Sequence, residues 1–221
     1  MEGTTVITHH QTAGRGQRGN IWFSEEGKNL TFSIILKPTV LPVKDQFYLN
    51  MAIALGVYDY LQDIFQDHVK IKWPNDILVK GKKVCGILIE NQVSGQQIQH
   101  SIVGVGLNVN QENFFLENAA SVRLLSGKEF QLEGVLESVL EKIESRYLLV
   151  REQLLDTLSI AFTEVMYWLG EQHVFSTRGV EFTGMVMGVD EIGRLKIQTN
   201  QGLKTFGVKE VEYLRQTSPF K

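Results

Sequence analysis

Between residues 69 and 108 the chain runs through several stretches rich in β-branched and apolar residues, separated by short turns. The stretches are 69–73, 77–79, 84–93 and 98–108. A Pro-Asn-Asp turn, Gly81 and the pair Ser94-Gly95 lie between them. Strands joined by such short turns pair as antiparallel neighbours, which commits this part of the chain to an antiparallel sheet. Residues 4–8 form a further β-rich run, and 29–37 alternates with Leu30, Phe32, Ile34 and Leu36 on one face until Pro38 ends it. Residues 43–65 carry a helical stripe of Phe47, Met51, Ala54, Leu55, Tyr58 and Leu61, and Asp45 favours the helix start. A second helical region is expected from Glu133 to about Leu169, with Leu136, Leu140, Ile143, Tyr147 and Leu154 in register and Gly170 ending it.

The pattern changes after Gly170. Five short strand-like runs follow between His173 and Leu214, with turns at Gly179, Glu191-Ile192-Gly193 and Asn200-Gln201-Gly202. Such a run suits a small SH3-like β-barrel leaning on a larger neighbour, because so small a core is marginal alone. The expected class is therefore α+β. A mixed or antiparallel sheet with helices occupies residues 1–170, and a small barrel occupies 171–221.

Charge and cysteine content exclude several roles. The net charge of −3 argues against a broad nucleic-acid-binding face, which needs clustered Lys and Arg, but leaves room for a local basic pocket. The single cysteine, Cys85, allows no intrachain disulfide and reads as a small core residue in an apolar run. No apolar run approaches the ~18 residues of a membrane span. The first residues lack the features of a signal peptide. A soluble cytoplasmic protein is expected.

Three polar clusters carry the chemistry. The first is Gln11-Thr12-Ala13-Gly14-Arg15-Gly16-Gln17-Arg18-Gly19-Asn20-Ile21-Trp22. Its glycines let backbone approach a ligand and free amides to point inward, while Arg15 and Arg18 supply forked donors for phosphate or carboxylate. It lacks the Lys-Ser/Thr of a Walker loop and the following helix of a dinucleotide fingerprint. The second cluster is Lys72-Trp73-Pro74-Asn75-Asp76, with Lys83 and Gly86 beyond it. Two lysines a short hairpin apart, beside an amide and a carboxylate, can stabilise charge on a pentacoordinate phosphorus. Asp76 suits either Mg²⁺ or the orientation of a lysine. Glu90 either reaches this pocket or faces water. The third cluster, Gly104-Val105-Gly106-Leu107-Asn108, places an amide on a glycine-marked strand, where it could bind a ribose, a phosphate or a metal-bound water. Together they describe a pocket for a nucleotide or an acyl-adenylate.

These blocks, with Lys83-Val84-Cys85-Gly86-Ile87-Leu88-Ile89-Glu90, resemble the signature motifs of biotin–protein ligases in order and spacing. The C-terminal strands resemble that family's small terminal barrel. The resemblance implies a catalytic domain of the class II synthetase and biotin-ligase type. It implies a two-step reaction in which biotin attacks the α-phosphate of MgATP, and a lysine of a biotin carboxyl-carrier domain then takes the biotinyl group from biotinyl-AMP. ATP, Mg²⁺ and biotin are the implied ligands, a carboxylase carrier domain is the implied partner, and no nucleic acid or membrane is implied. Monomer and homodimer both remain open.

By position, Gln11, Gly14, Arg15, Lys83 and Gly86 are expected at biotin. Arg15, Arg18, Trp22, Lys72, Asn75 and Asn108 are expected at the nucleotide. Lys83, Arg15, Lys72, Asn75 and Asp76 are expected to act in catalysis, and no residue is assigned firmly to a metal. Two departures stand out. The strand, Ser-Thr-Asn turn and helix that the family places ahead of the segment starting here at Glu2 have no counterpart in these residues, which predicts weaker biotin binding and an exposed sheet edge. Gln17 stands where many relatives carry an arginine. The adenine-covering segment near residues 111–124 offers Phe114 and Phe115 but no tryptophan. Competing readings are a lipoate-type ligase or acyltransferase of the same fold and a catalytically silent homologue. A biotin-dependent DNA-binding repressor would need a helix-turn-helix for which these residues give no room.

Overall fold

The computed structural model describes residues 1–214, apart from the side chain of Arg18. The expectation for Arg18 and the last residues of the expected barrel, 215–221, lie outside what is described. The first sheet contains β1 (Thr5–Thr8), β2 (Leu30–Leu36), β3 (Val69–Lys72), β4 (Asp76–Val79), β5 (Lys82–Ser94) and β6 (Gln97–Leu107). Its order is β1-β2-β6-β5-β4-β3, and every neighbouring pair is antiparallel, as the short turns require for β3 to β6. β1 is an outer strand, with Val6 and Ile7 exposed on it.

Directly paired residues in a sheet share a face, so its register sorts the side chains into rows. One row runs Leu30, Leu107, Cys85, Ile77, Ile71, and all five are buried. This face packs against helix α1 (Phe47–Phe65). The expected stripe on α1 is buried except for the half-buried Phe47, but so are Ile53, Val57 and Tyr60. The reason is that α1 is enclosed on two sides, by the sheet and by helix α3 (Leu132–Arg151). At the crossing of the two helices a side chain on Gly56 would meet the Ile143 Cα at 2.5 Å.

Two expectations about helices fail. The single region from Glu133 to Leu169 is two helices, α3 and α4 (Leu155–Glu164). Between them Gln153 takes a left-handed φ of 59°, and Leu154 is exposed rather than part of the apolar face. No Gly or Pro marks the break, and leucines at helical spacing run through it, so the pattern reads as continuous. Gly170 does not end a helix. It lies beyond α4 at the entry to the second sheet, where its amide donates to Val186 O. The short helix α2 (Val122–Ser126) is too brief to show a period. It is made by its caps: Ser121 Oγ accepts from the Leu124 amide, and Gly127 closes the other end.

The second sheet is antiparallel and contains β7 (Gln172–Thr177), β8 (Val180–Val189), β9 (Leu195–Thr199), β10 (Gly202–Phe206) and β11 (Glu212–Leu214): the first four form a meander, and β11 returns to pair with β7. The buried core is continuous from the first sheet through Phe162 and Met166 to Phe175, Val186 and Ile197. The turn at 190–194 locks the two sheets together. Asp190 accepts from the Ile192 and Arg194 amides and from the Arg194 guanidinium. These contacts outweigh burial and hold its carboxyl below the ordinary value. From this turn Gly193 O accepts a hydrogen bond of 2.9 Å from Trp73 Nε1, and the glycine leaves room for Phe47.

Candidate functional site

The row next to the buried one forms the floor of a cleft. It runs Thr31, Gly106, Gly86, Asp76, Lys72 across five paired strands. The register therefore gathers residues of the second and third polar clusters, with Thr31 beside them. All five line one cleft of about 930 Å³, which is within the usual size of a small-molecule site, roughly 300–1,000 Å³.

Lys83 reaches this floor through an irregularity. The β4–β5 register shifts between Ile77 and Leu78, so that Val84 is extra on β5. Simple alternation would put Lys83 on the same side as Cys85, which is fully buried. The bulge turns it to the side of Gly86 instead, as bulges beside functional sites often do. There the Lys83 ammonium lies 2.6 Å from Asp76 Oδ1, with both side chains about a quarter to a third exposed. Of the two readings of Asp76, orienting a lysine is the one this geometry displays.

Trp22 covers the floor. Its indole lies over Gly86 and Gly106, where an added Cβ would meet the ring in either case. Lys83 Nζ stands 5.4 Å from the ring centroid. The glycine-arginine loop delivers Trp22 by folding back on itself. Gly16 N donates to Asn20 O, Trp22 N donates to Gly14 O, and Arg15 bridges to Ile21. A side chain on Gly14 would strike the Trp22 carbonyl. At the rim Arg15 Nη2 lies 3.3 Å from Glu90 Oε2, both well exposed. Glu90 thus belongs to the cleft rather than facing water alone. Gln11 Oε1 and Trp22 Nε1 are buried with no hydrogen-bond partner among the described residues. An unpaired acceptor and an unpaired donor are points that a polar ligand can satisfy.

Two expected ligand contacts are bracing residues in this geometry. Asn75 lines the cleft, but its amide donates to Ile87 O, and Ile87 N donates back to Asn75 O. It ties the proline turn to β5. Asn108 is buried and does not line the cleft, and its amide donates to Ala120 O. With its backbone bonded to Val84 and Val122, it holds the 119–122 segment under the strands. Its Oδ1 finds no hydrogen-bond partner among the described residues. The segment at 111–124 meets the glycine loop at one aromatic contact, Phe23 against Phe115, with centroids 4.9 Å apart. Cys85 fits its expected core role, since burial pushes its thiol well up and away from reactivity.

Sequence reasoning missed the far wall. Val208, Lys209, Val211, Glu212, Tyr213 and Leu214 of the second sheet line the same cleft. No glycine or charge motif announces them; only the docking of the two sheets brings them in. For a divalent cation the protein offers little. Asp76 is engaged by Lys83, and no group of three His, Cys, Asp or Glu stands together among the described residues. These residues do not fit a protein-held metal centre.

Known proteins resemble this chain over most of its length. Residues 1–108 match the biotin/lipoate A/B protein ligase family. A bifunctional ligase/repressor BirA from Bacillus subtilis is 33% identical, over 96% of this chain and 66% of its own length. A biotin--[acetyl-CoA-carboxylase] ligase from Mycobacterium tuberculosis is 26% identical, over 97% of this chain and 80% of its own. The structure of a biotin protein ligase from Aquifex aeolicus, in complex with biotin and ATP, superposes with a TM-score of 0.81 at 31% identity, covering 97% of this chain and 90% of that one. The chain spans just under two thirds of the Bacillus relatives it matches. With sequence and fold agreeing over nearly all of its residues, the chain belongs to the biotin/lipoate A/B protein ligase family.

Proposed function

We propose that this protein is an ATP-dependent ligase that adenylates biotin and transfers it to a lysine of a biotin carboxyl-carrier domain. The observation that carries the reading is the floor row itself. Lys72, Asp76, Gly86 and Gly106, with Lys83 swung in by the bulge, bring two lysines into one cleft beside a glycine surface that the Trp22 indole covers.

In the first step a biotin carboxylate oxygen attacks the α-phosphorus of ATP and pyrophosphate leaves. In the second, the ε-amine of the acceptor lysine attacks the acyl carbon, AMP leaves, and the amine loses a proton. Neither step needs a side-chain nucleophile, so catalysis is positioning and electrostatics. Lys83 is assigned to the carboxylate–phosphate junction, and Asp76 aims it. Lys72 and Arg15 are assigned to phosphate, together with Arg18. Gln11, Gly14 and Gly86 are assigned to the biotin ring system, and Trp22 to packing over the adenylate. Asn75 and Asn108 are assigned to bracing. Mg²⁺ would arrive on the nucleotide phosphates, and no step is routed through a protein-held ion.

We assign the catalytic domain to residues 1–170 and an SH3-like barrel to 171–221, in keeping with the meander of short strands. No helix among the described residues is long and apolar enough to cross a membrane. Action in the cytoplasm is part of the proposal, consistent with one buried, unpaired cysteine. The test is to mix the protein with MgATP, biotin and a purified carrier domain and weigh the carrier by mass spectrometry. The expected result is an ATP-dependent gain of one biotinyl group. No gain with biotin, but a gain with lipoate, would move the protein to the lipoate side of its family.

A further inference from the structure

Lys72 and Tyr213 come from different sheets and meet in the cleft. The Lys72 ammonium lies 4.9 Å from the centroid of the Tyr213 ring, within cation–π range. Lys72 ends β3 on the first sheet, and Tyr213 is the middle residue of β11 on the second, opposite Phe175 of β7. The ring is itself fixed. Phe175 stands edge-on at 5.3 Å, Trp168 lies at 5.3 Å, and Tyr167 lies at 6.4 Å. Its hydroxyl is buried and finds no hydrogen-bond partner among the described residues. What this position offers the cleft is therefore the electron-rich ring face.

We propose that Tyr213 is a positioning residue for nucleotide binding: the second sheet holds its ring under the Lys72 ammonium and so aims that charge at the incoming phosphates. The idea rests on the ligase reading above and adds to it a residue in the second sheet. The physical argument is one of restraint. A lysine stem has several freely rotating bonds and loses rotamer freedom when fixed. An ammonium already seated on a rigid ring loses less of that freedom when a triphosphate arrives. Water is excluded from one side of the charge as well, which strengthens its pull on phosphate. Burial also pushes the Tyr213 phenol well above its ordinary value, so the ring stays neutral and does not draw the lysine into an ion pair.

The test is a graded series at one position, with adenylate formation followed by pyrophosphate release. Tyr213→Phe keeps the ring and stays near the wild-type KM for ATP. Tyr213→Leu removes the ring's charge distribution, and the KM for ATP rises about three- to thirty-fold, the range of a cation–π contact. The KM for biotin is unchanged in both, and that split separates positioning from a general loss of structure. A Tyr213→Leu protein with a lowered melting midpoint and equal losses toward biotin and ATP overturns the proposal. So does a Tyr213→Phe variant as impaired as Tyr213→Leu.

A second measurement needs no turnover. In the protein labelled at lysine Cε, with Lys72 assigned through Lys72→Arg, the Lys72 resonance shows an upfield ring-current shift. The shift persists in Tyr213→Phe and disappears in Tyr213→Leu. An unshifted Lys72 resonance in the wild-type protein overturns the inference and leaves the ligase reading intact. A wild-type protein that shows the shift but forms no biotinyl-AMP overturns the ligase reading instead.

Discussion

Two ion pairs of the cleft differ in character. Lys83–Asp76 sits on the floor, at 2.6 Å, with both side chains partly buried and both backbones inside the sheet. Arg15–Glu90 sits at the rim, at 3.3 Å, with side chains 74% and 50% exposed and the arginine on a loop. Water screens the rim pair, and such pairs are worth about 0–1 kcal/mol. The floor pair is shielded and its geometry is set by strand register, so its charges act more strongly on anything placed beside them. The difference teaches where this protein keeps its precision. In the proposed mechanism, the groups assigned to the reacting phosphorus hang from paired strands, and those at the rim hang from loops.

The comparison breaks first at Lys83. Lys83→Ala should lower the rate of biotinyl-AMP formation by about 10²–10³, as expected when a fixed donor to a developing charge is removed. Rapid-quench measurement of the adenylate checks it. Wild-type rates would take Lys83 out of the mechanism and remove the special standing of the floor. Asp76→Asn should fall between wild type and Lys83→Ala, because it leaves the lysine present but unaimed.

Second in size is the glycine surface. Gly106→Ala would push a methyl group into the Trp22 indole, whereas at Gly104, two residues earlier on the same face, the added carbon would meet Leu88 O at an ordinary 3.5 Å. Overpacking of this kind costs about 1–3 kcal/mol, which is a loss of roughly 5- to 150-fold in biotin affinity. Titration calorimetry on the two variants decides it. Gly106→Ala should weaken biotin in that range, and Gly104→Ala should stay near wild type. Equal behaviour would mean that Trp22 moves freely and that the floor is softer than its register suggests.

Much of this was legible in the residues, and the exceptions have physical causes. The strands of the first sheet follow from period-2 runs and short turns, because both signals are local. The glycine loop, the Lys-Trp-Pro-Asn-Asp turn and Lys83 were legible because their chemistry is unusual for a turn. The break at Gln153 was hidden because a non-glycine residue in a left-handed conformation leaves no trace in composition. For Asn108 the residues alone do not tell a ligand contact from a brace, because a buried amide serving a neighbouring loop has the same one-letter pattern as one serving a ligand. Tyr213 and its neighbours were invisible as a wall of the cleft, since docking of one sheet on another is a property of the whole core. The bulge at Val84 is the subtlest case. The sequence contains Lys83 and Gly86 at a spacing that places them on opposite faces, and only the irregular register reconciles them.

The smallest effect belongs to the rim, and it sharpens the comparison most. Glu90→Gln leaves the shape of the rim nearly unchanged and removes the charge opposite Arg15. The freed guanidinium should lower the KM for ATP, by about fivefold at most, given the strength of exposed pairs. The change should shrink as salt rises, because the Debye length falls from about 30 Å at 0.01 M to about 8 Å at 0.15 M. Lys83→Ala should show no comparable salt dependence, since the floor is shielded. Steady-state kinetics of both variants at the two ionic strengths therefore test the distinction directly. A hundredfold loss in Glu90→Gln, independent of salt, would show that the rim is as exacting as the floor and that Glu90 acts on the reacting groups themselves.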